Sequence, residues 1–344
     1  MRILRRYFST ALLAVSMLGS ACAAGGGSTD RSGLALGTIC SIRILAGGSE
    51  KALDEAFARL TAIEATMSAN QSNTVVAQVN AEAGGQPVAI PEDLAYVTGK
   101  ALWYAQLSGG AFDPTIGPVV KLWNIGMDGE RIPSSDEIRE TLPLVDYRAV
   151  AIDAKAGTLL LEHPGMQLDL GAIAKGYAAD EVGRILVSRG VKAAVIDLGG
   201  NVKVVGRKPD GSSWRIGVQN PFDARGSYIG IATVEGDYTV VTSGVYERFF
   251  IGEDGTRYHH ILDTRTGYPV DNGLVSATII SSSSVDADGL STALFALGLR
   301  DGLALAETLD HVEAVFIDKD KRVYLSSGAG ALFKLSDPDF SLAD

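Results

Sequence analysis

Cysteine is almost missing from this chain of 344 residues, which has only Cys22 and Cys40. With Cys22 inside an export segment, Cys40 has no partner, so no intramolecular disulfide supports the mature fold and the core must stabilise itself. Positive charge is also short, with 30 Lys and Arg against 41 Asp and Glu for a formal net charge of −11. That balance excludes a nucleic-acid partner as the default reading and offers no general attraction to anionic lipid. Four histidines leave few candidates for proton transfer near neutral pH. The apolar stretch from Phe8 to Leu18 is too short for a membrane span, and beyond the N-terminal glycines there is no repeat or low-complexity block.

Arg2, Arg5 and Arg6, the apolar stretch and the small residues that follow read as a signal peptide over residues 1–22. Leu18-Gly19-Ser20-Ala21-Cys22 approximates a bacterial lipoprotein cleavage site with its leucine displaced by one position. Acylation at Cys22 and ordinary cleavage near Ala23 or Ala24 both stay open. Either predicts an exported, periplasmic product, and acylation adds a membrane anchor. The polar, glycine-rich residues 23–33 read as a flexible tether of ~30 Å when extended.

The remainder, 34–344, has ample apolar material for one domain or two interlocked lobes, at 46% hydrophobic content. A strand is expected from Leu36 to Leu45, followed by a helix whose core stripe is Leu53, Phe57, Leu60, Ile63 and Met67. Further helices are expected at 91–108, ended by Gly109-Gly110, at 173–189, closed by Gly190, and at 285–297 and 300–309. Strands are expected at 193–196, 214–219, 228–234, 238–242, 245–251, 257–262, 275–281, 312–317 and 322–326, with a hairpin turn at Glu253-Asp254-Gly255. Helices and strands fall in blocks, which predicts an α+β fold of mixed or antiparallel sheets packed with helices.

Two distant runs carry the chemistry. In Leu168–Asp180, an apolar strand is expected to lead into a helix with Asp169, Gly171, Lys175 and Gly176 at the junction. Free N–H groups at a helix start, glycines that admit close approach and a lysine one turn in could form a diphosphate cradle; a helix with a polar N-terminus is the plain alternative. In Asp286–Gly298, Asp288 and Thr292 stand four apart on one helical face. They offer hard oxygen ligands suited to a Mg²⁺ that also takes phosphate oxygens, or, more plainly, an N-cap aspartate and an ordinary threonine. Asp286 points to another face. His260 lies in a polar strand-to-turn segment with Asp263 three residues on, and can serve as a base or merely bond a loop. His259 is expected to face the other way, His163 beside Pro164 reads as a turn residue, and Glu247 and Arg248 alternate sides of a strand.

With Thr242-Ser243-Gly244-Val245-Tyr246-Glu247-Arg248 and His259-His260-Ile261-Leu262-Asp263-Thr264-Arg265-Thr266-Gly267-Tyr268-Pro269 added, the chain resembles the ApbE family of flavin transferases. The resemblance runs from about Leu34 onward and includes Gly37-Thr38, Met67-Ser68, the segment from Gly110 to Pro118, Asp197-Leu198-Gly199-Gly200 and Trp214-Arg215-Ile216-Gly217. It implies Mg²⁺-dependent transfer of FMN from FAD to a Thr or Ser hydroxyl of an acceptor flavoprotein, releasing AMP. The acceptor would be a redox membrane complex or a periplasmic flavoprotein. It also implies metal ligation by Asp288, Thr292 and the Ala172 carbonyl, and catalysis by His260 and Lys175. FAD contacts are implied for Leu36, Asn70, Ala111, Phe112, Asp113, Asp169, Lys175, Thr242, Ser243, Gly244, His260, Ile261 and Asp263.

Three positions depart from the family pattern. Asn70 stands where an aromatic residue often stacks on the flavin, Leu36 where methionine is common, and Asn201 where an acidic residue is frequent. The loss of a stacking surface at Asn70 favours turnover over FAD retention and makes hydrolysis of FAD to FMN and AMP the chief alternative activity. A non-catalytic periplasmic flavin-binding lipoprotein is the third reading, against which the retained Asp288, Thr292, Lys175 and His260 argue.

Overall fold

The computed structural model describes residues 28–253 and 255–343. Among these residues, the largest sheet has nine strands in the spatial order Thr29–Ala35, Thr38–Gly47, Val191–Leu198, Asn201–Gly206, Tyr238–Gly244, Leu274–Ser281, Val312–Asp318, Arg322–Leu325 and Ser341–Leu342. Its pairings are antiparallel except the last. Side chains alternate across a strand, so a sheet covered on both faces divides each strand between two cores. Ala277 and Ile279 enter one core while Ile280 enters the other; Ala314 and Phe316 oppose Val315 and Ile317 in the same way.

Helices cover the first face. Glu50–Met67, Ala174–Ser188 and Ser284–Leu297 bury Leu53, Leu60, Ile63, Val182, Leu186, Leu290 and Leu294 in the larger core. The second face carries a three-stranded sheet of Trp214–Gln219, Tyr228–Val234 and Phe333–Leu335, which supplies Trp214, Ile216, Val218, Ile229 and Phe333 to the smaller core. The result is a helix–sheet–sheet stack of the α+β class. A third cluster, built on Trp123, Val119, Ile138 and Leu262, sits under the loops near the site.

Residues 29–33 are not part of a tether. Thr29–Ala35 pairs with Thr38–Gly47 from Thr29↔Ile44 to Ala35↔Thr38, and Arg31 bonds Glu50 and Asp54 of the adjacent helix. Polar side chains suit this edge strand, one face of which is wet. The turn at Leu36-Gly37 has positive φ at both residues, 54° and 67°, the backbone of a tight hairpin. The signal segment 1–22 and the lipidation site Cys22 lie outside the described residues.

Two further expectations are corrected near the site. Val245–Ile251 is not one strand: residues 245–248 turn, and only Phe249–Ile251 pairs, with Arg257–His259. The strand expected to reach Leu262 therefore ends at His259, releasing His260 from the sheet. The Asp197-Leu198-Gly199-Gly200 loop proves to be a two-residue hairpin, φ 67° and 96° at its glycines, leading into the unanticipated strand Asn201–Gly206. Asn201 is buried there, and its Oδ1 accepts from Ser284 Oγ at 2.8 Å.

Candidate active site

Lys175 and Asp288 meet because their helices cross at a glycine. A Cβ on Gly176 would lie 2.2 Å from the Ser284 carbonyl oxygen and 2.6 Å from Asp288 Cβ, so only hydrogen fits between the helices. Gly176 was read above as room for a ligand; its use is room for a helix. Gly176→Ala should cost about 1–3 kcal/mol by overpacking, measurable by urea unfolding; an unchanged midpoint would contradict the close crossing.

The same crossing satisfies a first-turn amide. The helix begins at Ala174, so the Gly176 N–H has no acceptor within it, and it donates to Asp288 Oδ2 at 2.8 Å. The Ala172 carbonyl lies just before the helix, and no donor to it is found among the described residues. Asp288 is 4% exposed, and its Oδ1 faces Lys175 Nζ at 3.6 Å. Lys175 Nζ also donates to the Gly171 carbonyl at 3.1 Å, and no side chain caps this helix. The neighbouring N-terminus is closed by contrast: Ser283 caps it, and both oxygens of Asp180 accept from the Ser284 and Val285 amides at 3.1 and 2.8 Å. Asp286, as expected, faces elsewhere, bonded to Lys100 and Tyr104.

Thr292 joins from the strand side. Ser243 Oγ lies 3.0 Å from Thr292 Oγ1 and 2.8 Å from Ser291 Oγ, while Thr242 Oγ1 pairs with Thr278 Oγ1 at 2.8 Å. Gly244 leaves room for the Tyr246 ring, whose nearest atom would sit 2.4 Å from an added Cβ. No cluster of three or more His, Cys, Asp or Glu that could hold a metal occurs among the described residues. The oxygen donors these elements offer are the Asp288 carboxylate and the Thr292 hydroxyl, one turn apart on the same helix, with the Ala172 carbonyl just before the helix that crosses it.

His260 is oriented by the backbone. Both its amide N–H and its Nδ1 lie 3.1 Å from the Arg248 carbonyl oxygen. A carbonyl only accepts, so Nδ1 carries the proton and Nε2 keeps a lone pair. Crowding pushes the imidazole pKa down to about 4, with the Arg248, His259 and Lys175 charges acting in the same direction. His259 is the mirror case: Nε2 donates to the Val270 carbonyl at 2.9 Å, and Nδ1 accepts from the Ile261 amide at 3.3 Å. It is buried and structural. Asp263 does not hold His260; its carboxylate accepts from the Arg265 amide at 2.8 Å and pairs with the guanidinium at 3.2 Å.

The expected FAD residues divide into exposed and internal groups. Asp169 is half-buried and its Oδ1 accepts from the Gly171 amide at 2.8 Å. Its own amide reaches the Pro114 carbonyl at 2.7 Å, which sets the Ala111–Asp113 turn beside it. That stretch is not a strand: Asn80 pins Leu168 through both the amide and the carbonyl. Asn70 is exposed, and Leu36 and Ala111 half-buried. Phe112 and Ile261 turn into the core at 4% and 5% exposure. Asp113 is spent internally on Thr115 and the Tyr147 amide, and burial pushes its carboxyl pKa up. Asn80, Ser291 and the Arg248 carbonyl were not singled out in the sequence: the first two act across 88 and 48 positions, and the third acts through a backbone atom that no residue type marks.

The architecture matches solved flavin-transferase structures. The ApbE protein of Thermotoga maritima superposes with a TM-score of 0.82 at 30% identity, covering 89% of this chain and 99% of that one. The apo flavinyl transferase ApbE of Pseudomonas stutzeri gives 0.78 at 32% identity, covering 90% and 98%. Among curated relatives, the FAD:protein FMN transferase of Treponema pallidum is 39% identical over 330 residues, 91% of each chain. That of Klebsiella pneumoniae is 40% identical over 281 residues, 82% of this chain and 86% of its own. The ApbE family model matches residues 36–316. The chain belongs to the ApbE family.

Proposed function

We propose that this protein is a Mg²⁺-dependent FAD:protein FMN transferase that esterifies a Thr or Ser hydroxyl of an exported acceptor flavoprotein and releases AMP. The carrying observation is the buried Asp288 carboxylate, set against the first turn of the helix that follows Ala172 by the Gly176 amide at 2.8 Å and facing Lys175 Nζ at 3.6 Å. With Thr292 this makes a hard oxygen set that fits Mg²⁺ sharing its remaining positions with phosphate and water. When bound, the ion would neutralise charge on the diphosphate oxygens.

The chain's own groups supply the rest. The uncapped helix N-terminus and Lys175 favour the diphosphate and its developing charge. The acceptor hydroxyl gives its proton to His260 Nε2 while its oxygen bonds the FMN-side phosphorus; the phosphoanhydride bond breaks and AMP departs with the electron pair. The N-terminal segment supports export and lipid anchoring at Cys22.

The test is incubation with FAD, Mg²⁺ and a purified acceptor flavoprotein subunit. Covalent flavin on the acceptor, with AMP in equal amount, supports transfer. FMN and AMP without labelled acceptor would establish hydrolysis instead, and neither product would leave the binding-protein reading. Asn70, being exposed and lacking a π face, also predicts loose flavin binding. Asn70→Tyr should lower the FAD Kd by roughly 2–10-fold, a stack being worth about 0.5–1.5 kcal/mol; fluorescence titration with no change would place the residue out of the ring's reach.

A further inference from the structure

A groove of about 430 Å³ is lined by Gln219, Phe222, Arg225, Tyr246, Glu247 and Phe249 among others. None of these is among the residues expected to hold FAD. The turn 245–248 joins groove and site: Tyr246 and Glu247 line the groove, and the Arg248 carbonyl holds His260. The Arg248 side chain reaches back to the Gly37 carbonyl at 3.5 Å. Arg225 sits at the other end near the Gly199-Gly200 hairpin, where its guanidinium would be 3.8 Å from a Cβ on Gly200.

Two polar groups of this groove are left unmatched by the protein itself, and two of its aromatic rings stay partly exposed. The Tyr246 hydroxyl is buried with no hydrogen-bond partner, a state that costs free energy until an acceptor or donor arrives. Arg225 has no ion-pair partner among the described residues, whereas Asp223 beside it is engaged by the Ala224 amide and Ser227. Phe222 and Phe249 are 47% and 37% exposed, and Arg257 stacks 4.3 Å over Phe249. Exposed aromatics with unpaired polar groups in a concave site describe a recognition surface.

Resting on the transferase reading, we infer that this groove receives the acceptor protein, as the extended segment flanking the hydroxyl to be flavinylated. An acidic side chain of that segment pairs with Arg225, an apolar one lies against Phe222 and Phe249, and a main-chain group meets the Tyr246 hydroxyl. The segment then runs past the 245–248 turn and delivers its hydroxyl to His260 Nε2. FAD occupies the opposite side, against Lys175, Asp169 and the Ala111–Asp113 turn.

The experiment uses the acceptor subunit that the full-length enzyme labels and a fluorescent 15-residue peptide centred on its labelled residue. Arg225→Glu and Phe222→Asp should each raise the acceptor KM at least tenfold and weaken peptide binding by anisotropy to match. The KM for FAD should stay within twofold, and Arg225→Lys should restore most of the affinity. Both substitutions are on exposed loop positions, and the FAD constant reports an intact fold. Unchanged acceptor KM overturns the proposal, as does a parallel rise in the KM for FAD, which would assign the groove to the dinucleotide. If the unaltered enzyme splits FAD but labels no acceptor, the transferase reading falls and this proposal with it.

Discussion

Asp288→Asn should abolish Mg²⁺-dependent turnover while leaving a folded protein. The amide oxygen of asparagine can still accept the Gly176 N–H, but the formal charge that faces Lys175 and completes the oxygen set is gone. Removal of one such electrostatic contributor costs at least about 100-fold in kcat. Asp288→Ala should lose as much activity and also about 1–3 kcal/mol of stability, because it strands the buried Gly176 amide. Activity assays across a Mg²⁺ titration, paired with urea unfolding, separate the two effects. Intact Mg²⁺-dependent activity in either variant would remove Asp288 from the metal site. A stability loss in the asparagine variant equal to that in the alanine variant would mean that the charge, not the hydrogen bond, matters to the fold.

His260→Ala should lower kcat by about 10²–10⁴-fold, the usual contribution of a positioned base, with the FAD Kd nearly unchanged. Equal losses in both would make the residue a binder. The pH dependence follows from its surroundings. Crowding disfavours the imidazolium and holds the pKa near 4, so in the free enzyme the base is ready throughout the neutral range. The kcat/KM profile should stay level down to about pH 5 and fall as pH approaches 4. Bound diphosphate brings negative charge that favours the imidazolium, so the kcat profile should break at a higher pH than kcat/KM. A break in kcat/KM near pH 6.5 would show that His260 is not desolvated. The sign for stability is the same: the unfolded histidine titrates near 6.5. Between that value and about 4 the unfolded chain binds more protons, and stability is lost as pH falls.

Much of the fold was legible. Of the stripe Leu53, Phe57, Leu60, Ile63 and Met67, all but Phe57 lie buried; Phe57 is half-buried, its ring lying against Gly33 and the Arg31 guanidinium of the edge strand. The helix ended by Gly109-Gly110 stops where both glycines adopt positive φ. Periodicity reports such features because each depends on residues within a few turns. The first strand was misread because its polar residues 29–33 satisfy an edge position that only the partner strand reveals. The 245–251 segment was misread because its apolar and aromatic residues suit a strand, whereas the Tyr246 ring needs the space at Gly244 and bends the chain.

By itself the sequence determined which chemistries are available: one buried-helix carboxylate with a hydroxyl four positions on, a lysine at a helix start, few histidines, and no disulfide among the described residues. Only the tertiary structure decided that Gly176 serves a helix crossing, that its free first-turn amide is taken by Asp288, and that the Arg248 carbonyl sets the His260 tautomer. These are contacts between residues 12 and 112 positions apart. Their geometry depends on how the helices and loops pack onto one sheet, which no local pattern of residues encodes.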